Sequence, residues 1–388
     1  MRALAFSVCI VFLAACSRAI TPSPLPAGPA FRNARPFATG FQTLFSFSRT
    51  NGAYPQANLV AVNGTLYGTT YSGGAGTGVV FRITPSGAFK VLHEFGKAND
   101  GFQPGTGPLI YVKGALYGVT TYGGAGNGTV YKITTTGKER VVYRFNDPPD
   151  GDAAYGNLVF VNGDLYGTTT EGGKNDYGTV FRLTLSGKET VLYSFKGGKD
   201  GAQPFGGLTA VGRTLYGTTR GGGASAYGTV FKISLSGQER VIHSFGGTLR
   251  HDGGGPSAGL TLVKGQLYGT TQGGGVGSWG TVYTITTSGK ERVLHSFADI
   301  PDGGTPVYVN LTNVKGTLYG TTSVGGTGPG TVFKITTSGT ESVVYDIPGG
   351  SGGQAPYGGV AYLNGRLYGT TYAGGNATIT GTIFSVTP

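Results

Sequence analysis

The sequence predicts an all-β fold: a seven-bladed β-propeller of four-stranded blades, closed by an N-terminal strand that pairs into the last blade. Three observations carry this. The segment Leu66-Tyr67-Gly68-Thr69-Thr70 returns as Leu-Tyr-Gly around Tyr117, Tyr166, Tyr216, Tyr268, Tyr319 and Tyr368, seven copies spaced 49 to 52 residues apart. A fixed period of this length, built from short strands, is the signature of propeller blades. Each period holds four strand-like pieces, and the C-terminal copy lacks the fourth. The missing pattern stands near the start of the chain instead, at Thr43-Leu44-Phe45-Ser46-Phe47.

Composition agrees with this reading. The chain has 388 residues, of which 75 are Gly and 19 are Pro. Such a Gly and Pro content often marks disorder. Here the glycines recur in register with Tyr, Phe, Val and Leu, as turns between strands do. A domain with one central core usually splits above roughly 250–300 residues. Blades that bury their faces against two neighbours escape that limit.

Taken in order, residues 1–15 read as a lipoprotein-type signal peptide. Arg2 precedes a short apolar run, Ala3 to Phe12, too short for the roughly 20 residues that span a bilayer. The run ends in Leu13-Ala14-Ala15-Cys16, which resembles a bacterial lipobox, with Cys16 the lipidated residue and the new N-terminus. The alternative is ordinary cleavage after Ala15 and a soluble secreted protein. Ser17, rather than Asp, points by analogy with lipoprotein sorting to the outer membrane, with its periplasmic and outer sides both open. Residues 16–40 contain Pro22, Pro24, Pro26, Pro29 and Pro36 and read as an extended tether. The propeller occupies 41–388. An exported chain is not expected to meet nucleic acid, and the membrane is expected to be reached through the lipid anchor only.

In the second blade the four pieces are Leu109–Val112, Ala115–Thr121, Gly128–Thr134 and Arg140–Phe145, labelled strands a to d from the axis outward. Tight turns at Lys113-Gly114 and Thr136-Gly137 join a to b and c to d. Along strand b, Leu116 and Gly118 point one way and Tyr117 the other. Gly in mid-strand weakens pairing, so its return in every copy suggests that a neighbouring aromatic fills the space of a Cβ. The Tyr hydroxyls should find buried partners, with the following Thr pairs as candidates.

The formal charge is +11. Arg82, Lys132, Arg182, Lys232 and Lys334 share one position in the repeat, and Lys138, Lys188 and Lys290 another. Glu139, Glu189, Glu239, Glu291 and Glu341 accompany them. The interleaved signs suggest solvated outer strands with cross-strand Lys/Arg–Glu pairs; the alternative is a basic surface for acidic polymers or lipid headgroups. The only cysteines, Cys9 and Cys16, precede the repeats, which rules out a disulfide framework or cysteine metal site within them.

The third copy shows the repeat clearly: Gly163–Thr169, then Gly172-Gly173, then Gly178–Thr184. This pattern resembles the GloVer tandem-repeat family, exported bacterial propellers, lipoproteins among them, with a choice of cell-surface anchors. The likeness covers essentially residues 41–388, with departures at Val79 and Val119. It implies the fold and an exported location, and no established activity. A weaker likeness to kelch repeats rests on the Gly pair after strand b.

The long b–c and d–a links emerge on one face, where function on a rigid scaffold usually resides. Two aromatic sets lie there. Tyr177, Tyr227 and Trp279 precede the Gly that opens strand c in three consecutive blades; Tyr71, Tyr122 and Tyr372 follow the Thr pair in blades one, two and seven. Exposed rings suit sugar faces or a protein hot spot, though packing along the loop base is the plainer reading. Asp100, Asp150, Asp200, Asp252 and Asp302 each precede Gly in a d–a link. They read as turn formers, or alternatively as a carboxylate ring at the channel mouth, densest at Asp147, Asp150 and Asp152. His93, His243 and His295 share a strand d position with Tyr143 and Tyr193 and read as packing residues. His251 stands alone beside Asp252 with no indicated nucleophile. The sequence therefore points to a monomeric, non-catalytic envelope module that binds a glycan or protein, with no cofactor, no metal and no catalytic residues assigned. An envelope hydrolase or lyase at the channel mouth and a structural surface protein are the alternatives.

Overall fold

The computed structural model describes residues 40–388, apart from 97–99, 125, 147 and 376–378. The leader, Cys16 and the tether up to residue 39 lie outside the described residues, as does Asp147. Seven four-stranded antiparallel sheets stand in a ring. The third blade is typical: Val159–Val161, Asp164–Thr169, Thr179–Thr184 and Glu189–Ser194 form strands a to d. The second blade adds a short strand, Phe102–Pro104, against the end of its strand b. Among the described residues, no helix is long and apolar enough to cross a membrane.

The seventh blade is completed from the other end of the chain. Ala361–Leu363, Arg366–Thr371 and Thr382–Val386 are its inner three strands, and Gln42–Ser46 is its outermost. Gln42 pairs with Ser385 and Ser46 with Thr382, with a bulge between Thr43 and Phe45. Phe47 N–H donates to Gly381 O at 2.9 Å, and Thr380 Oγ1 to Phe47 O at 2.6 Å. Closure as read from the sequence is thus present, and it pairs the edge of Thr382–Val386, giving the last sheet its four strands.

The mid-strand glycines match their expectation, with the aromatic supplied by the same blade. Gly167 lies opposite Phe181 in the strand b–c pairing. A Cβ there would come within 2.6 Å of Phe181 Cζ and 2.8 Å of Leu158 Cδ2. Phe81 covers Gly68, and Tyr131 covers Gly118, in the same way. Strand c thus folds its ring over the bare backbone of strand b, the glycine rescue seen in twisted sheets.

The Thr pairs do not serve the Tyr hydroxyls. The first Thr reaches the next blade: Thr168 Oγ1 donates to Gly206 O at 3.1 Å, and Thr218 Oγ1 to Ala258 O at 2.9 Å. The second bridges strands b and c, Thr169 to Thr179 and Thr219 to Thr229 at 2.8 Å. The Tyr216 hydroxyl lies instead beside Thr287 across the junction.

Cross-strand Lys/Arg–Glu pairing is overturned by the register. Lys132 faces Arg140, Lys232 faces Arg240 and Arg82 faces Lys90, while Glu139 and Glu239 lie opposite Ile133 and Ile233. A slip of one residue changes the face of every side chain. The Glu side chains accordingly turn into the junctions between blades.

Two predictions test this packing. Gly167→Ala is expected to destabilise the chain by about 1–3 kcal/mol through overpacking, and Gly167→Ala with Phe181→Leu to recover most of it, measured by urea unfolding. Phe45, stacked on Phe89 at 3.9 Å, holds the closing strand against the first blade. Phe45→Ala is expected to cost about 2 kcal/mol in the same assay.

Candidate functional site

Antiparallel order fixes two faces. The a–b and c–d turns lie on one, and the b–c and d–a links on the other. On the long-loop face, one backbone bond recurs at every junction. The carbonyl of the residue before the strand c glycine accepts from the d–a link: Gln203 N to Tyr177 O at 3.0 Å, Gly255 N to Tyr227 O at 2.8 Å, Thr305 N to Trp279 O at 2.6 Å. The backbone does this work, so the side chain is free to vary. Tyr177, Tyr227 and Trp279 are 44, 41 and 38% exposed. Each lies over a link glycine, Gly197, Gly247 and Gly304 respectively. Among the described residues no ring contact joins the three; the structure keeps them apart.

The second set behaves differently. Tyr372 stacks on Tyr54 at 4.9 Å and on Tyr357 at 4.6 Å. Tyr357 meets Tyr308 edge-on at 6.5 Å, Tyr308 stacks on Phe205 at 6.3 Å, and Phe205 packs against Tyr155 at 4.8 Å. Tyr155 lies beside Tyr122, and Tyr71 beside Tyr122 and Tyr308. Burial raises the hydroxyl pKa of Tyr71, Tyr155, Tyr308 and Tyr372. They stay neutral hydrogen-bonding groups at physiological pH. The collar is interrupted at the fifth blade, where Gln272 Nε2 donates to Ser257 Oγ at 2.7 Å. Arg220 lies 5.3 Å over the Phe205 ring beside that gap.

Tyr54, Tyr155, Phe205, Tyr308 and Tyr357 were not singled out by sequence. Their signal is position: Tyr155, Phe205, Tyr308 and Tyr357 each lie four residues before strand a and Tyr54 six, with a proline beside or near all but Tyr155, as in Pro204-Phe205 and Pro356-Tyr357. It falls in the most variable link and is easily missed. Beneath the collar the channel is plugged. Asn58 Nδ2 donates to Asn310 O at 3.0 Å, and Gly359 N donates to Asn58 Oδ1 at 2.7 Å. A cavity of about 10 Å³ remains between these inner links, room for about one water. A ligand on this face would rest on the mouth, not pass through it.

The link aspartates do not ring the mouth. They cap the link and bind the outermost strand: Tyr143 Oη donates to Asp150 at 2.8 Å, Tyr193 Oη to Asp200 at 2.7 Å, and His295 Nε2 lies 2.6 Å from Asp302. The backbone N–H of Lys196 and Gly246 donate to Asp200 and Asp252, both at 2.8 Å. The turn-forming reading holds, and the carboxylate ring at the channel does not. His295, Asp302 and Glu341 of the next blade bring ligand atoms within 4.8 Å of one another. The same junction carries Tyr in place of His at Asp150 and Asp200, so a hydrogen bond accounts for the position without a metal.

Each of these five junctions receives a Glu from strand d of the following blade. Glu139, Glu189, Glu239, Glu291 and Glu341 each bury an unpartnered Oε1. Burial, and then the facing Asp100, Asp150, Asp200, Asp252 or Asp302, pushes each carboxyl up to about 7. A raised acid pKa makes the folded chain bind more protons than the unfolded one. That stability is fully present below the unfolded value and is lost as pH rises through the folded value.

The chain matches the Gloeobacter/Verrucomicrobia repeat over residues 28–231 and 214–388. It belongs to that repeat family. As a β-propeller repeat protein it is also similar to several solved structures. One is a puromycin hydrolase, at 13% identity and TM-score 0.54, over 84% of this chain and 51% of that one. Another is a Mycobacterium tuberculosis puromycin-hydrolyzing peptidase, at 9% and 0.53, over 85% and 52%. A third is a structural genomics protein of unknown function from Bacteroides thetaiotaomicron, at 12% and 0.47, over 89% and 75%. The chain spans about half the length of the two hydrolases, and at these identities the likeness is one of fold alone. No curated protein matches the chain.

The five junction acids predict a specific pH response. The melting temperature is expected to fall between about pH 5 and about pH 8. The chain with all five Glu changed to Gln is expected to melt with a flatter profile over that range, read by calorimetry.

Proposed function

We propose that this chain is a non-catalytic envelope-binding module whose long-loop face takes a glycan at the aromatic collar. One observation carries the reading: Tyr155, Phe205, Tyr308, Tyr357, Tyr372 and Tyr54 follow one another ring against ring over a plugged channel. Flat rings with neutral hydroxyls suit the apolar face and edge hydroxyls of a sugar. The interruption at Ser257, Gln272 and Arg220 offers polar partners that fix its orientation. The histidine–carboxylate groups stand at the outer wall, away from the mouth, which favours binding over hydrolysis there. Tyr177, Tyr227 and Trp279 form a separate outer arc for a longer ligand or for a protein partner. Lipidation at Cys16 would hold the monomer at the outer membrane.

A glycan panel followed by calorimetry with the full chain tests this. Tyr308→Ala and Tyr357→Ala are each expected to weaken the selected glycan about 30-fold, the effect of a hot-spot ring of about 2 kcal/mol. The combined Tyr177→Ala, Tyr227→Ala and Trp279→Ala variant is expected to stay near wild type for a short glycan. A panel with no binder, or collar variants of unchanged affinity, removes the assignment.

A further inference from the structure

The short-turn face carries exposed positive charge with little to neutralise it. Lys113, Arg213, Lys264 and Lys315 stand in a–b turns, and Lys138, Lys188 and Lys290 in c–d turns, all exposed. None of the seven forms an ion pair among the described residues. Just behind them the strands set base against base, Lys132 opposite Arg140 and Lys232 opposite Arg240, an arrangement that is destabilising without a screening anion. The acids that neighbour these bases in sequence have turned away into the junctions. Apart from those five Glu, Asp164 is the one Asp or Glu side chain on this face among the described residues, and Arg182 Nε already donates to it at 2.7 Å.

Two further features point to what the charge meets. Between the third and fourth blades the face opens into a groove of about 440 Å³, lined by Asn162, Tyr166, Arg213, Ser234, Leu235 and Ser236 together with the Arg182–Asp164 ion pair. Arg213 reaches it because this turn alone places its glycine first: Gly212 has φ 62°, where the other a–b turns put Asn or Lys before Gly. With Arg182 neutralised by Asp164, the Arg213 guanidinium, the Asn162 carboxamide and the Ser234 and Ser236 hydroxyls are the groups in this groove that suit a phosphate or other oxyanion. The chain also joins the propeller here. Gly40, just before the closing strand, accepts from Thr387 N at 3.2 Å and from Arg366 Nη2 at 2.6 Å. Whatever precedes Gly40 is therefore attached on the basic side.

We propose that the short-turn face docks on a membrane surface rich in anionic phosphate headgroups, with one headgroup held by Arg213 in this groove. The point of attachment at Gly40 and the even spread of charge over turns of several blades favour a flat bilayer over a linear polymer. The long-loop face, with its aromatic collar, then points away from the lipid. This reading does not rest on the glycan assignment, because it uses the opposite face.

Vesicle co-sedimentation tests it. The full chain carrying Cys16→Ala, which removes any acyl anchor, is mixed with vesicles of phosphatidylcholine alone or with added phosphatidylglycerol. Partition is expected only with phosphatidylglycerol, and to weaken with salt. Each cation near an anionic surface strengthens binding about fivefold, so Lys113→Gln, Lys264→Gln and Lys315→Gln together are expected to weaken it about 100-fold. The matched change on the long-loop face, Lys174→Gln, Lys196→Gln and Lys199→Gln, is expected to leave it unaltered. Equal partition onto neutral vesicles, or equal loss in both variants, overturns the proposal. Binding to soluble polyphosphate without partition onto phosphatidylglycerol also overturns it, and reassigns the face to an anionic polymer.

Discussion

The ring holds together because a strand from the start of the domain completes its last sheet. Without Gln42–Ser46 the seventh blade would end in an open row of N–H and C=O groups at Thr382–Val386. Its presence also sets the character of two junctions. Elsewhere a His or Tyr from one blade meets a Glu from the next. Either side of the closing blade, aromatics occupy those positions. Phe41 stacks on Tyr345 at 4.4 Å, and Phe45 on Phe89 at 3.9 Å. The closing strand thus brings rings where its neighbours offer rings. A strand of the ordinary kind would place a Glu against Tyr345 with no Asp–His partner beside it.

The same closure orients the whole molecule. It fixes Gly40 on the short-turn face. It also brings blades seven, one and two together. Only then can Tyr372, Tyr54, Tyr71 and Tyr122, drawn from opposite ends of the sequence, share one collar. Two chemically distinct faces result. One has half-buried neutral rings over a plugged channel, and the other has exposed cations with few acids.

The five polar junctions show how one repeat serves packing and titration together. The Asp caps its own link and binds the His or Tyr beside it, and its charge then bears on the Glu of the next blade. Because desolvation is the first cause of the raised Glu pKa and the Asp the second, the effect belongs to the wedge between blades. A single sheet would leave these carboxyls in water. Conversely, His243 Nε2 lies 3.4 Å from Asp252, and burial lowers its pKa, so the histidine junctions are not identical to one another.

By itself the sequence determined the number of blades, their four strands, the closing segment and the faces on which long and short loops emerge. Those features follow from local periodicity and turn chemistry, which a chain displays in one dimension. It also exposed the glycine that each blade needs, since a missing Cβ recurs visibly. Tertiary structure decided what depends on register and on which blades become neighbours. A one-residue offset in strand d turned Glu139 and its equivalents from surface partners of Lys into half-buried neighbours of Asp. Ring closure brought Tyr54 onto Tyr372, and packing of neighbouring blades set Tyr357 and Tyr308 beside them, while Tyr177, Tyr227 and Trp279 stayed apart. Distances across a closed ring are set by packing of sheet on sheet, and no spacing along the chain encodes them.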